Sequence, residues 1–285
     1  GLRVDMRQEV VIGDQAMARG LVEAGIEIAA AYPGTPSSEI LPGIVYFKNR
    51  EGLKIHTEWS SNELCAFEVA FGAAAYGGAR AACFMKQVGL NVAFPAVLRA
   101  REKALEGGLV IISCDDPGPQ SSQTEQDTRL LAALYGIPVF DPASPEEAAD
   151  VAYYALNWSF NNKVPVIIRS THRVSHARQS IDLYEPGTRD VTLREGVCAG
   201  HGRKLGIIAS GMSYSLVSDV IEELGAADDV SVYKVLRVYP APEDLSEFVE
   251  AMEKVLVVEE TDMVIESLIG MRRKVMGRAD GTVPS

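Results

Sequence analysis

The sequence predicts an α/β fold: a mainly parallel sheet with helices on both faces, followed by a smaller three-layer α/β domain. Three observations carry this. Short β-branched or apolar runs alternate with helical patterns almost from end to end, as βα units require. The alternation breaks in a polar stretch, 170–203, that holds Pro186, Gly187, Gly196, Gly200 and Gly202 without a clear period. It then resumes. We therefore expect domains over 1–185 and 204–285, joined by a linker over 186–203.

In order, strands are expected at 26–32, 79–85, 109–113, 137–140 and 164–169. Helices are expected at 14–24, 37–49, 61–76, 90–103 and 145–160. The last has the plainest signals: Ser144 as N-cap, Pro145 at the first position, then Glu146 and Glu147 in the first turn. Beyond the linker, strands at 205–210, 230–235 and 255–258 alternate with helices at 213–224, 242–252 and from 263 onward. The ending Gly277-Arg278-Ala279-Asp280-Gly281-Thr282-Val283-Pro284-Ser285 reads as loop.

Composition narrows the function. A chain of 285 residues with 47% hydrophobic and 23% charged residues is long enough to bury a core without metals or disulfides. Its net charge of −12 argues against nucleic acid and against an anionic membrane surface, and its plainest role is solubility. Cys65, Cys83, Cys114 and Cys198 are scattered with no CxxC, so neither zinc nor an iron–sulfur cluster has its ligands here. Free buried thiols in a reducing compartment are expected. No apolar run approaches the ~18 residues of a membrane span, and Gly1 to Gln8 lack a signal-peptide layout. A cytoplasmic location follows as the default.

Chemistry gathers in segments at expected strand ends, where open α/β sheets bind ligands. Tyr32-Pro33-Gly34-Thr35-Pro36-Ser37-Ser38-Glu39-Ile40 is a rigid turn leading to a helix capped by Ser37 or Ser38. His56-Thr57-Glu58-Trp59-Ser60-Ser61-Asn62-Glu63 runs into a helix apolar nearly all round, hence expected to be buried on every side. Glu63 and Glu68 interrupt it, and a buried carboxylate needs a partner or a shifted pKa. Ser60-x-x-Glu63 also fits a capping box, and Glu68 suits a packed salt bridge better than catalysis. Met85-Lys86-Gln87-Val88-Gly89-Leu90-Asn91 places Lys86 and Gln87 where a ligand would lie, with Gly89 allowing close approach. Asp115-Asp116-Pro117-Gly118 opens a long polar loop to Asp127. Metal binding by the two aspartates is one reading, solvated turn carboxylates the plainer one. Arg169-Ser170-Thr171-His172-Arg173-Val174-Ser175-His176 reads as an extended loop, which would keep His172 and His176 from sharing a metal. His56 and His201 have no partner nearby in sequence.

Taken in order, these stretches resemble the indolepyruvate ferredoxin oxidoreductase alpha-subunit family, within the 2-oxoacid:ferredoxin oxidoreductases, over essentially the whole chain. Gln87 departs from the family pattern, where histidine is expected. The resemblance implies a thiamine-diphosphate-binding fold in which 1–185 holds the cofactor's aminopyrimidine and 204–285 is similar to the transketolase C-terminal domain. It makes Glu63 the glutamate on the aminopyrimidine N1′, favouring the imino tautomer that takes the proton from thiazolium C2. Glu58 and Glu68 rank behind it. Thr35, Pro36, Gln87 and Asn91 are implied to bind the cofactor, and Thr35, Gln123 and Gln126 to contact substrate. No residue here is assigned to a metal.

The implied reaction is oxidative decarboxylation of an aryl 2-oxoacid such as indolepyruvate, with coenzyme A as co-substrate. It yields CO₂, an acyl-CoA and reduced ferredoxin. A phenylglyoxylate or other 2-oxoacid enzyme, and a silent scaffold subunit, are the alternatives. The Gly-Asp-Gly motif that holds Mg²⁺ and the diphosphate is missing from the sequence, as are clustered cysteines. The chain is therefore expected to be a natural split subunit or a fragment. A partner chain would bring the Gly-Asp-Gly domain, and an iron–sulfur subunit the clusters.

Overall fold

The computed structural model describes residues 7–200, 202–270 and 274–284. His201, and the first six residues of the stretch compared with a leader, lie outside them. The chain begins with β1 (Arg7–Ile12), α1 (Gly13–Glu23), β2 (Ile28–Ala31), α2 (Ile40–Glu51), β3 (His56–Trp59) and α3 (Glu63–Gly77). It continues through β4 (Arg80–Lys86), α4 (Gln87–Glu102), β5 (Gly108–Asp115), α5 (Thr128–Leu134), β6 (Val139–Phe140) and α6 (Pro145–Asn162). Then come β7 (Val166–Thr171), α7 (His172–His176), β8 (Arg178–Leu183) and β9 (Gly196–Ala199). The last third holds β10 (Leu205–Ala209), α8 (Gly211–Leu224), β11 (Ser231–Lys234) and β12 (Arg237–Tyr239). It ends with α9 (Leu245–Ala251), β13 (Lys254–Val258), α10 (Val264–Ile269) and β14 (Val275–Met276).

The large sheet has seven strands in the order β12-β6-β7-β5-β4-β2-β3, parallel throughout except for β12 at one edge. Alternate residues of its central strands point to opposite faces. Cys83, Met85, Leu109 and Ile111 pack with Phe67 and Phe71 of α3 and Leu90 and Val97 of α4. Ala82, Phe84, Val110 and Ile112 pack instead with Leu21 of α1, Ile44 of α2 and Leu156 of α6. All eight residues of β5 are buried. This is the doubly covered parallel sheet that the alternation implies.

The smaller sheet runs β14-β13-β10-β11-β9, parallel but for β9, and β1 pairs with β8 as a separate antiparallel ribbon. The stretch 186–203 thus carries an edge strand, β9, and the C-terminal third lends β12 to the large sheet. One apolar cluster runs from α3 and α4 through Val139 and Ile208 to Tyr233, Phe248 and Ile265, so the two sheets share a core.

Several local expectations are corrected. Residues 172–176 form the helix α7 rather than an extended loop, yet no metal-binding group of His, Cys, Asp or Glu occurs among the described residues. α2 starts at Ile40 with no side-chain cap, so neither Ser37 nor Ser38 caps it. His56 does have a near partner, Glu58, at 2.8 Å. Cys83 and Cys114 are buried, but Cys65 and Cys198 are exposed. No helix among the described residues is long and apolar enough to cross a membrane.

Candidate functional site

The carboxyl ends of β2, β4 and β5 lie side by side, and the turns that leave them carry most of the residues singled out above. α3 is not buried all round: Leu64, Cys65 and Tyr76 on it are exposed. Glu68 forms an ion pair with Arg99 of α4. Glu63, half-buried, is the first residue of α3, and Asn62 is the N-cap, its Oδ1 accepting the Cys65 N–H at 2.8 Å. The Ser60 hydroxyl donates to Glu58 at 3.0 Å and its N–H to the Ala31 carbonyl, so the capping box is not formed. Glu63 is free of helix capping.

Its carboxyl lies instead against Gly89. A Cβ at that position would stand 2.4 Å from both Cγ and Oε1 of Glu63, closer than any side chain permits. Glycine here leaves room for the Glu63 carboxylate, which any larger residue would displace. Two residues earlier, Gln87 is only 1% exposed. Its Nε2 donates to Ser122 at 3.0 Å, while Oε1 has no partner. An unpartnered buried acceptor is unusual in a finished core, and it fits a ligand that carries donors.

The loop between β5 and α5 lies over the β4–α4 junction. Lys86 donates to the Ser121 carbonyl at 2.8 Å, Gln87 to Ser122, and Asn91 to Gln126 at 2.9 Å, each across a separation of 35 residues. The loop therefore tracks the β4–α4 junction in fixed register. Ser121 also donates to the Thr35 carbonyl at 3.4 Å, which ties in the exposed Thr35 and the buried Pro36 beside it. Gln123 is exposed on the same loop. Thr35, Gln87, Asn91 and Gln126 are thus linked by hydrogen bonds through one loop, and Glu63 packs against Gly89 of the same α4.

Asp115 and Asp116 are neither solvated nor grouped for a metal. Asp115 receives Arg169 Nε at 2.9 Å and the Thr128 N–H at 2.9 Å. Asp116 Oδ2 accepts from the Gln120 N–H (3.1 Å), the Ser121 N–H (2.8 Å) and the Ser122 hydroxyl (2.7 Å). Burial alone would raise the Asp116 carboxyl, but these donors and His172 hold it below the usual carboxylate range. Sequence reasoning missed the anchoring role of Asp116. It also missed Arg129, and it gave Arg169 no partner, because Ser210 and Glu259 for the one and Asp115 and Asp141 for the other are distant in sequence.

Comparison with known proteins gives the family and the fold. The family model described as "Pyruvate flavodoxin/ferredoxin oxidoreductase, thiamine diP-bdg" matches residues 19–209. The indolepyruvate oxidoreductase subunit IorA of Thermococcus kodakarensis is 38% identical, over 91% of this chain and 46% of its own length. The subunit of that name from Methanothermobacter marburgensis is 36% identical, over 96% and 51%. The chain spans about half the length of these curated relatives. Among solved structures, the 2-oxoglutarate:ferredoxin oxidoreductase of Magnetococcus marinus superposes with a TM-score of 0.77 at 16% identity, covering 95% of this chain and 62% of that one. A split gene transketolase gives 0.66 at 18% identity, covering 94% and 88%. These two likenesses establish the fold. With the family match over residues 19–209, the chain belongs to the thiamine-diphosphate-binding family of pyruvate flavodoxin/ferredoxin oxidoreductases.

Proposed function

We propose that this chain supplies the pyrimidine side of a thiamine diphosphate site in a 2-oxoacid:ferredoxin oxidoreductase. The observation that carries the reading is Glu63, uncommitted to its own helix and packed against Gly89, on the same helix whose first residue, Gln87, has an unpartnered Oε1. Glu63 would donate its carboxyl proton to N1′ of the aminopyrimidine, and Gln87, Asn91, Thr35 and Pro36 would line its ring. When bound, thiamine diphosphate supplies the carbon nucleophile that adds to a 2-oxoacid and holds the electron pair left by CO₂. The chain's own contribution is to fix the ring and to hold a proton at the Glu63 carboxyl.

The diphosphate and Mg²⁺ would be held by a partner chain or domain. Iron–sulfur clusters would lie on partner chains, coenzyme A would accept the acyl group, and ferredoxin the electrons. The lobe over 204–285 would serve packing and assembly. Large apolar side chains exposed next to the site support an incomplete wall: Trp59 at 49%, Leu64 at 36% and Val92 at 50% exposure flank Glu63 and Asn91 in the chain. Calorimetric titration with thiamine diphosphate and Mg²⁺ should give little or no heat with the isolated chain. Adding a partner that carries Gly-Asp-Gly should restore tight binding. Tight binding by the chain alone would sink the split-site reading.

For substrate we infer an aryl 2-oxoacid such as indolepyruvate, in line with the names of the relatives. The end of β5 itself, Ser113-Cys114-Asp115-Asp116, carries no cation for a small substrate's carboxylate, and the neighbouring Lys86 ammonium is bonded to Ser121. Asp115 and Asp116 stand there, and the arginine that reaches Asp115, Arg169, is 1% exposed and engaged by Asp115 and Asp141. The carboxylate would then be held by Thr35 and backbone N–H groups, with room left for a ring whose burial gains several kcal/mol at ~25 cal/mol per Å². On the complete complex, kcat/KM for indolepyruvate, phenylpyruvate or phenylglyoxylate should exceed that for pyruvate. Equal efficiency with pyruvate would overturn the aryl assignment.

A further inference from the structure

We propose that Asp116 is a positioning residue that folds the loop 117–126 onto the β4–α4 junction and Thr35, so that the loop rather than the sheet sets how tightly the 2-oxoacid is held. For its role in substrate binding, this rests on the thiamine diphosphate reading above.

One carboxylate oxygen of Asp116 gathers the Gln120 and Ser121 N–H groups and the Ser122 hydroxyl, and shares the single Ser121 hydroxyl proton with the Thr35 carbonyl. These residues make few other anchoring contacts, and the ones they make lead into the site. Ser121 receives Lys86 and reaches the Thr35 carbonyl, and Ser122 receives Gln87. Asp116 itself is 1% exposed at the end of a fully buried strand, with His172 at 3.3 Å behind it. It joins a rigid scaffold to a polar loop that has no helix, strand or apolar core of its own. The loop is also closed on itself, since Glu125 accepts the Gly118 N–H at 3.2 Å. Remove the Asp116 carboxylate, and four donors lose their common acceptor at once. The loop then keeps only its contacts with Lys86, Gln87, Asn91 and Thr35, which lie on the side a ligand would use.

Hydrogen exchange read by mass spectrometry on the chain alone tests the clamp. In Asp116→Ala, peptides over 117–126 should exchange about tenfold faster or more, with β4 and β5 unchanged. Asp116→Asn, whose amide oxygen still accepts, should stay close to wild type. Ser122→Ala, on the loop and only half-buried, should give a smaller effect of the same kind even if Asp116→Ala folds poorly. On the complete complex, Asp116→Ala should raise KM for the 2-oxoacid by roughly tenfold while changing kcat much less, and Asp116→Asn should restore KM. Faster exchange throughout the chain would reduce Asp116 to a stability role and overturn the proposal. So would unchanged exchange at 117–126, or a loosened loop with KM intact. Glu63→Gln is the control for the thiamine diphosphate reading. If that variant keeps full turnover the reading falls, whereas the exchange result still decides the clamp.

Discussion

Glu63→Gln should lower turnover of the complete complex by roughly 10²-fold or more, the scale of lost acid–base assistance, while the isolated chain melts at an unchanged temperature. Both halves follow from geometry. Gln and Glu have nearly the same shape, so the seat against Gly89 is kept, but an amide cannot hold the proton at the position where the aminopyrimidine is proposed to lie. The stability half follows because Glu63 does not cap α3. Asn62 does, and Asn62→Ala should cost about 1 kcal/mol of stability. Measuring turnover and melting temperature for both variants separates catalysis from capping. A Glu63→Gln complex with normal turnover would refute the catalytic assignment.

The same residue shows how far the sequence alone could be read. The parallel strands were legible because strands buried on both faces become continuous apolar runs, as Leu109-Val110-Ile111-Ile112 does. β3 was not anticipated: its residues His-Thr-Glu-Trp sit at an edge, pair only with β2, and leave His56 and Trp59 exposed. α7 is five residues long, too short to show a helical period. At the site, the resemblance singled out Glu63, Gln87 and Asn91, but nothing local could place Ser121, Ser122 and Gln126 against them. Those contacts depend on how a long loop folds back, and the residue that makes it do so, Asp116, reads in sequence as an ordinary turn aspartate. The capping-box pattern misled for a related reason. Ser60 satisfies the spacing, but its N–H is taken by the Ala31 carbonyl at the sheet edge, and Asn62 is left to cap.

Arg129→Ala should destabilise the chain by about 3–5 kcal/mol, the usual penalty for leaving buried carboxylates without their cation. Arg129 is fully buried at the start of α5. Its Nε and Nη2 meet the two Asp127 oxygens at 3.0 and 2.6 Å. Nη1 donates to Ser210 at 2.9 Å and lies 3.5 Å from Asp141 and 3.4 Å from Glu259. Nη2 also reaches the Glu260 carbonyl at 2.6 Å. One side chain therefore ties the end of the site loop, at Asp127, to the ends of β10 and β13 in the C-terminal lobe. Arg169 can cover only part of the loss, because it already serves Asp115 and Asp141. Arg129→Lys keeps the charge but not the planar fork that matches Asp127, so it should fall between wild type and Ala. In urea, the Arg129→Ala midpoint should drop with little change in slope if both lobes unfold together, as their shared apolar core implies. An added early transition confined to the C-terminal lobe would show that Arg129 is what makes the lobes cooperate. A loss under about 1 kcal/mol would mean that Asp127, Asp141 and Glu259 are neutralised without it, and that the cluster does not join the lobes.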